Sequence, residues 1–450
     1  MQKFFIILFF IVMFNLPVFS SEYNIKYINL EWWENFQDKN LETNLLTLYE
    51  KNYDLKNAAL KIKENEQIVK MQFAQELPFI SFDGSLSRAF QGAREQFGDM
   101  SIPKYSQYNY NLPITAGYEI DIWGKNKLLT KSKKEQLEII KQLERATYIS
   151  LTSDFAADYF NLIKADEIIE IQHELIEIQQ EILSKIKDKY KAGLCVINDV
   201  LIQEKILSSL QEELNLHLQA REILVGSLRV YLADSKIEIP RVGYENIRLI
   251  NDIPLELDSD IVNFRPDYLI EETNLKRLGF DIRAAKREFL PTFTIFGQIG
   301  LNAYHLRSLF NSPSQFFTAG ILPSLDLFSG GRKRAFLKMK KYQYEQVLND
   351  YQKTFLVGVK EVNSGLIEYK TALKNYEEVA EKLKVEAKLY NFAKDKEAIG
   401  AASRLDTLFA KEIYFAARKE EVSSKINSIV SAIGLYKVTG GVNLYKIEKL

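Results

Sequence analysis

Asp199 and Asp406 stand at matching places in two stretches, Gly193-Leu194-Cys195-Val196-Ile197-Asn198-Asp199-Val200-Leu201 and Gly400-Ala401-Ala402-Ser403-Arg404-Leu405-Asp406-Thr407-Leu408, offset by 207 residues. A carboxylate one turn inside a helix start accepts from orphan N–H groups and faces the positive end of the helix dipole, so capping is the first chemistry to assign to both. Cys195 is the only cysteine and can form no internal disulfide; with His173, His217 and His305 scattered along the chain, it offers no metal-ligand cluster. The sequence has no nucleophile elbow, phosphate loop or Cys/His constellation, and most carboxylates lie among lysines on solvated helical faces. An enzyme is therefore not expected, nor a cofactor or a bound metal. Glu119, Asp121 and Asp326 fall on the wet side of alternating segments, where they suit the lining of an aqueous passage better than acid/base work.

The elements that must hold the two aspartates are long helices. Lys/Glu-rich helical runs extend over Lys125–Lys191 and Arg332–Glu397, each about 100 Å at ~1.5 Å per residue, too long for any globular core. In the first, Ile168, Ile171, Leu175, Ile178, Ile182 and Ile186 recur at spacings of three and four, the seam of a coiled coil. A short turn leads to Ile197–Leu232, where Leu207, Leu210, Leu214, Leu218, Val225, Leu228 and Leu232 have compatible spacing, and Arg404–Lys437 returns in the same way. Each pair reads as an antiparallel hairpin. The returning helices are only about 50 Å long. Leu41–Glu76 and Pro266–Glu288 have about the missing length and stack on them end to end, giving four rods per chain. Between Ala233 and Arg265, Pro240, Gly243 and Pro254 mark an irregular collar midway along the rods.

Each long helix is preceded by two strand-like segments. Ile80, Phe82, Leu86 and Phe90, then Tyr110, Leu112, Ile114, Ala116, Tyr118, Ile120 and Ile122, alternate with Ser81, Asp83, Ser85, Ser87, Asn109, Asn111, Thr115, Glu119 and Asp121. Phe293, Ile295, Ile299 and Leu301, then Phe317, Ala319, Ile321, Leu325 and Leu327, repeat the pattern against Thr292, Thr294, Gln298, Thr318, Ser324 and Asp326. One oily and one wet face suits a membrane barrel wall, yet such barrels begin at about eight strands, so several copies must share one. Pro78 and Pro291 open the first strand of each pair, where a missing N–H matters least. Trp123 and Phe328, at the ends of the second strands, are the candidate membrane-interface aromatics.

Lys3, the apolar run Phe4 to Phe14 and the small-residue site near Ser20 read as a secretory signal peptide. A net charge of -1 with interspersed signs excludes the basic face of a nucleic-acid binder, and no later apolar run is long enough for a spanning helix. Insertion must then be by strands, which points to an outer membrane with outer-membrane lipid as a partner. The chain divides into a signal peptide (1–20), an N-terminal segment and helix (21–76), a first strand pair (77–122), a first long helical hairpin (123–233), an equatorial segment (234–265), a helix (266–288), a second strand pair (289–328), a second long helical hairpin (329–437) and a C-terminal tail (438–450). A coiled-coil structural or adhesive surface protein with a small soluble head is the alternative architecture; a secreted pore-forming toxin would have to hide the strand faces as a soluble monomer.

Several local patterns resemble the outer-membrane efflux protein family, the TolC-like channels. Gly117-Tyr118-Glu119-Ile120-Asp121-Ile122-Trp123-Gly124-Lys125 is similar to the family's strand-to-helix signature, and Pro323-Ser324-Leu325-Asp326-Leu327-Phe328-Ser329-Gly330-Gly331-Arg332 to its second copy. Arg265-Pro266-Asp267 at a helix start and Leu435-Tyr436-Lys437 before Gly440-Gly441 fit as well, so the likeness spans most of the mature chain in order. It implies an α+β membrane protein: a homotrimer with a transmembrane β-barrel of twelve strands, four per chain, continued by a long α-helical coiled-coil barrel across the periplasm. The implied function is passive conduction from the periplasm to the exterior. The implied partners are a periplasmic adapter (membrane fusion) protein and an inner-membrane pump of RND or ABC type, whose docking opens a closed tip.

The resemblance places Asp199 and Asp406 in a charged constriction where the helices converge. Symmetry-related carboxylates there would attract cations, and their repulsion would raise at least one apparent pKa. Where the family often has a further acid this chain has Phe409, and its arginine-bearing turn position is Ala402, with Arg404 nearby. An acidic layer above an aromatic one is the expected constriction. Gly193, Leu194, Ile399, Gly400, Ser403, Arg404 and Leu405 lie where the family meets its adapter, although glycine there also serves as a simple C-cap.

Overall fold

The computed structural model describes residues 30–444 apart from 93, 96–100, 103, 252 and 255. The expected signal peptide lies outside the described residues, as does the end of the tail from 445. In chain order the elements are α1 (Leu30–Trp33), α2 (Lys39–Lys51), α3 (Tyr53–Ala74), β1 (Phe79–Phe82), β2 (Ser85–Gln91), β3 (Arg94–Glu95), β4 (Ser101–Ile102), β5 (Tyr105–Ile120), α4 (Lys125–Lys191), α5 (Ile197–Tyr231), α6 (Pro266–Arg287), β6 (Thr292–Ala303), β7 (Gln315–Ser324), α7 (Arg332–Ala398) and α8 (Arg404–Val438). Among the described residues no helix is long and apolar enough to cross a membrane.

The sheet is antiparallel throughout, in the order β1 and β2, β5, β6, β7, so β1/β2 and β7 are its edges. Its register puts Phe82, Ile114, Ile299 and Phe317 in one row and Ile80, Ala116, Gly297 and Ala319 in the next, all on the apolar face. That face is open: Phe317 is 74 % exposed and Ile299 58 %. The first strand is broken where alternation alone implied continuity. Pro113 accepts from the Asp83 N–H at 3.4 Å but has no N–H to return, and the ladder lapses at Asp83 and Gly84. The last strand stops at Ser324, short of Leu325 and Leu327, which stand exposed beyond the ladder.

The rods meet at the collar. Trp32 and Trp33 are buried, and the Trp32 ring stacks on Tyr436 at 4.1 Å. A core of Phe155, Tyr159, Leu228, Tyr369, Ile429 and Ile433 joins both hairpins to 3₁₀ turns at Tyr244–Asn246 and Ser259–Phe264. The helical segment ahead of the first strand is split by Asn52, whose side chain caps α3 by accepting from the Asp54 and Leu55 N–H groups. Arg265 is the polar pin. Its guanidinium donates to Asp267, to Glu361 at 2.6 Å and to the Val438 carbonyl at 2.9 Å, tying α6, α7 and the end of α8 together.

Candidate functional site

Both long helices end alike. Gly193 (φ 74°) and Gly400 (φ 76°) take the left-handed conformation, and the next N–H groups, on Leu194 and Ala401, donate back to Lys189 and Lys396 carbonyls at 2.9 and 2.8 Å. Beside these caps Leu194 and Ile399 are 75 % and 80 % exposed. The returning helices differ in how they start. Asp406 and Ser403 form a reciprocal box: the Ser403 N–H and hydroxyl donate to the Asp406 carboxylate at 2.9 and 2.7 Å, and the Asp406 N–H donates to Ser403 Oγ at 3.2 Å. Asp199 makes half of this arrangement, accepting from the Val196 N–H at 3.2 Å, because valine has no hydroxyl to answer. Within one chain, the bonds from Ser403 hold the Asp406 carboxyl below its usual range.

The remaining predicted tip residues separate into exposed and engaged groups. Phe409 is 37 % exposed, a solvent-facing aromatic one turn beyond the start of α8. Leu405 is buried with Leu408 against Ile178, Ile182, Ile186 and Val200. The apolar seams of both hairpins meet there, and a leucine at the first turn of α8 points into that seam. Arg404 clasps Glu181 of α4 with Nε–Oε1 at 2.8 Å and Nη2–Oε2 at 3.0 Å, and lies 3.6 Å from Glu397. Its hydrogen bond holds the Glu181 carboxyl below the usual range.

That clasp is the end of a ladder. Lys411 meets Glu174 at 3.3 Å and Arg418 meets Glu167 at 2.7 Å, each rung seven residues further along α8 and seven back along α4. Sequence reasoning missed Glu167, Glu174 and Glu181. The signal was present as two heptad sets of opposite sign, the arrangement that charged flanks of a coiled-coil seam adopt. Glu167 is the least exposed of the three acids, and burial raises its carboxyl against the opposing pull of Arg418.

At the other end of the rods, the predicted polar residues are paired. Glu119 lies 3.6 Å from Lys125, Asp121 accepts from the Lys127 N–H at 3.0 Å, and Asp326 lies 3.1 Å from Lys333. The Trp123 indole donates to the Pro291 carbonyl at 2.7 Å, joining the two strand pairs where they become helices, while Phe328 is almost fully exposed. The polar sheet face carries Asn109, Thr115, Gln298 and Asn302, linked by hydrogen bonds across the strands. It also holds phenylalanines that alternation did not foresee. Phe79 lies over Gly117 and Phe296 over Gly320, directly opposite each other in the register, so that a Cβ on these glycines would stand 2.5 and 3.0 Å from the rings.

The family model described as outer membrane efflux protein matches residues 46–233 and 261–441, taking in both hairpins and both strand pairs. The chain belongs to the outer membrane efflux protein family. As a member it is an outer-membrane efflux channel, and the match falls on two separate segments, one in each half of the chain. Among its relatives, the probable efflux pump outer membrane protein TtgC of Pseudomonas putida is 26 % identical over 415 residues, covering 91 % of this chain and 84 % of that protein. The cation efflux system protein CusC of Escherichia coli is 24 % identical over 434 residues, covering 92 % and 89 %. The CmeC outer membrane channel of Campylobacter jejuni shares the fold with a TM-score of 0.81 at 23 % identity, covering 92 % of this chain and 88 % of that one. The MtrE outer membrane channel of Neisseria gonorrhoeae, in its open state, gives a TM-score of 0.79 at 19 % identity, covering 91 % of each.

Proposed function

We propose that three copies of this efflux protein close one twelve-stranded barrel and continue as one helical barrel across the periplasm, forming the outer-membrane channel-tunnel of a tripartite efflux or secretion system. The observation that carries this reading is the sheet: its apolar face is exposed, and its two edge rows have no partner among the described residues. Unpaired backbone groups in lipid cost several kcal/mol each, and closure with further copies removes both edges.

In such a trimer the tips converge, Asp199 and Asp406 bring carboxylates around the axis, and Phe409 adds an apolar layer. The ladder from Arg404 to Arg418 holds the second hairpin against the first in the closed form. Its outer rung is half exposed, so it is weak enough for a docking partner to displace. Gly193, Leu194, Ile399, Gly400 and Ser403 supply the small and apolar surface for a periplasmic adapter, with an inner-membrane pump of RND or ABC type providing the energy. Native mass spectrometry of the detergent-extracted protein should give three chains, and planar bilayers should show discrete channels whose conductance rises in Phe409→Ala. A stable, water-soluble single chain would end this reading.

A further inference from the structure

The first ten residues of α4, Lys125 to Lys134, hold five cations and no acid, and the first ten of α7, Arg332 to Lys341, hold six cations and no acid. A helix N-terminus carries partial positive charge and favours Asp or Glu there; Asp121 fills that place at α4 from outside the helix by accepting from the Lys127 N–H, while the first turns of both helices themselves set cations against the dipole. The placement recurs at the offset of the duplication: Lys125, Lys127, Lys131, Lys133 and Lys134 match Arg332, Arg334, Lys338, Lys340 and Lys341. Some of these cations have partners within the chain. Lys125 pairs with Glu119, Arg332 and Lys333 with Asp326, and Lys340 with Asp281. Lys127, Lys131 and Lys134, with their counterparts Arg334, Lys338 and Lys341, are all exposed and form no ion pair among the described residues.

Their direction follows from Lys125. That residue shares a cleft with Thr292 and Ser324 and pairs with Glu119, all three on the polar sheet face. At about 100° per residue, Lys127, Lys131 and Lys134 lie roughly 180–240° around α4 from Lys125, on the side continuous with the apolar sheet face. Arg283 of α6 extends the patch, since its guanidinium stacks on Phe280 at 4.5 Å and Lys131 approaches the same ring at 5.9 Å. Along the axis Lys127 and Lys131 lie about 3 and 9 Å from the start of α4, where the polar layer of a bilayer begins, and long side chains further down can reach back toward it.

We propose that these duplicated stripes form a basic collar beneath the barrel that binds the phosphates of anionic phospholipid headgroups in the periplasmic leaflet. The inference rests on the membrane-inserted barrel proposed above. Continuity with the apolar face selects lipid as the occupant, and flexible exposed lysines suit a fluid layer of phosphates better than one fixed anion.

The test compares the wild type with a variant carrying Lys127→Gln, Lys131→Gln, Lys134→Gln, Arg334→Gln, Lys338→Gln and Lys341→Gln, and with a control that replaces the lysines by arginine. Lipids retained after detergent exchange from mixed phosphatidylcholine and phosphatidylglycerol are counted by native mass spectrometry, and insertion is scored separately by channel activity in phosphatidylcholine alone. Wild type and arginine control should prefer phosphatidylglycerol by about tenfold or more, a preference weakened by salt and not displaced by inorganic phosphate; the glutamine variant should insert equally and lose it. A wild type that conducts without discriminating, a glutamine variant that keeps the preference, or displacement by inorganic phosphate overturns the collar while leaving the barrel standing. A wild type that inserts into neither membrane removes the barrel and the collar together.

Discussion

At the tips, the helices that begin there follow their own dipoles: α5 and α8 hold Asp199 and Asp406 in their first turns, bonded to the N–H groups of the capping residues Val196 and Ser403. At the membrane end, the first turns of α4 and α7 hold cations and no acid, and the acid that caps α4 comes from the preceding strand end, where Asp121 accepts from the Lys127 N–H. The same backbone physics acts at both ends, so the difference lies in what precedes each helix. A hairpin tip surrounded by water must satisfy its orphan groups from its own side chains. A helix that follows a strand can be capped from that strand, as Asp121 caps α4, which leaves its own first turn free for cations, and those cations recur in both halves of the chain.

The contrast is broken most forcefully through two exposed apolar residues. Ile299, 58 % exposed, lies on the oily sheet face and Leu194, 75 % exposed, at a tip. Ile299→Lys should cost ~2–4 kcal/mol per chain in a bilayer and remove the protein from sedimented outer membranes, whereas Leu194→Lys should leave its recovery unchanged. Equal recovery of the two variants on immunoblots would erase the distinction between the ends.

Within the tips, Ser403→Ala deletes the hydroxyl half of the reciprocal box, at about 1 kcal/mol. It should speed amide hydrogen exchange across the first turn of α8. Asp199→Asn, which touches the half-formed cap, should change exchange at the start of α5 less. A reversed order would show that the caps do not govern fraying.

Arg404→Ala removes the outer rung. An exposed pair of this kind contributes about 0–1 kcal/mol, so the open fraction of single channels should rise by at most about fivefold. The mirror change at the membrane end, Lys131→Ala, should leave gating as it was.

Acid should act at the tip in the same direction. Glu181 is held below its ordinary 4.5 by Arg404, and Asp406 below its ordinary 3.8 by Ser403. For carboxyls depressed in this way, the stabilisation is complete above the ordinary values and is lost as pH falls from there through the lowered ones. Loss of the Arg404–Glu181 clasp should therefore increase opening on acidification below about 4, a response that Arg404→Ala should flatten, while protonation of Asp406 loosens only the first turn of α8. An identical pH profile in the variant would separate gating from the clasp.

Much of the helical architecture was legible because its signals are local. Isoleucines at spacings of three and four mark the seam of α4, and the glycines of the two turns mark where the long helices stop. The acids of the tip were legible as caps for the same reason. Glu167, Glu174 and Glu181 were overlooked because a heptad set of charges has no partner until a second helix is laid against it. Pro113 interrupts β1/β2 only because the register brings it opposite Asp83. Phe79 and Phe296 break the alternating pattern and find their place only where a neighbouring strand offers glycine.

Periodicity and spacing by themselves determined that this chain builds two hairpins of long helices, each fed by strands with one oily face, because a period of 3.6 or 2 depends only on residues near in sequence. Tertiary structure alone decided that Arg404 grips Glu181 and that Leu405 turns into the seam. Those outcomes depend on the register and rotation of helices far apart in sequence, which packing sets and no local pattern encodes.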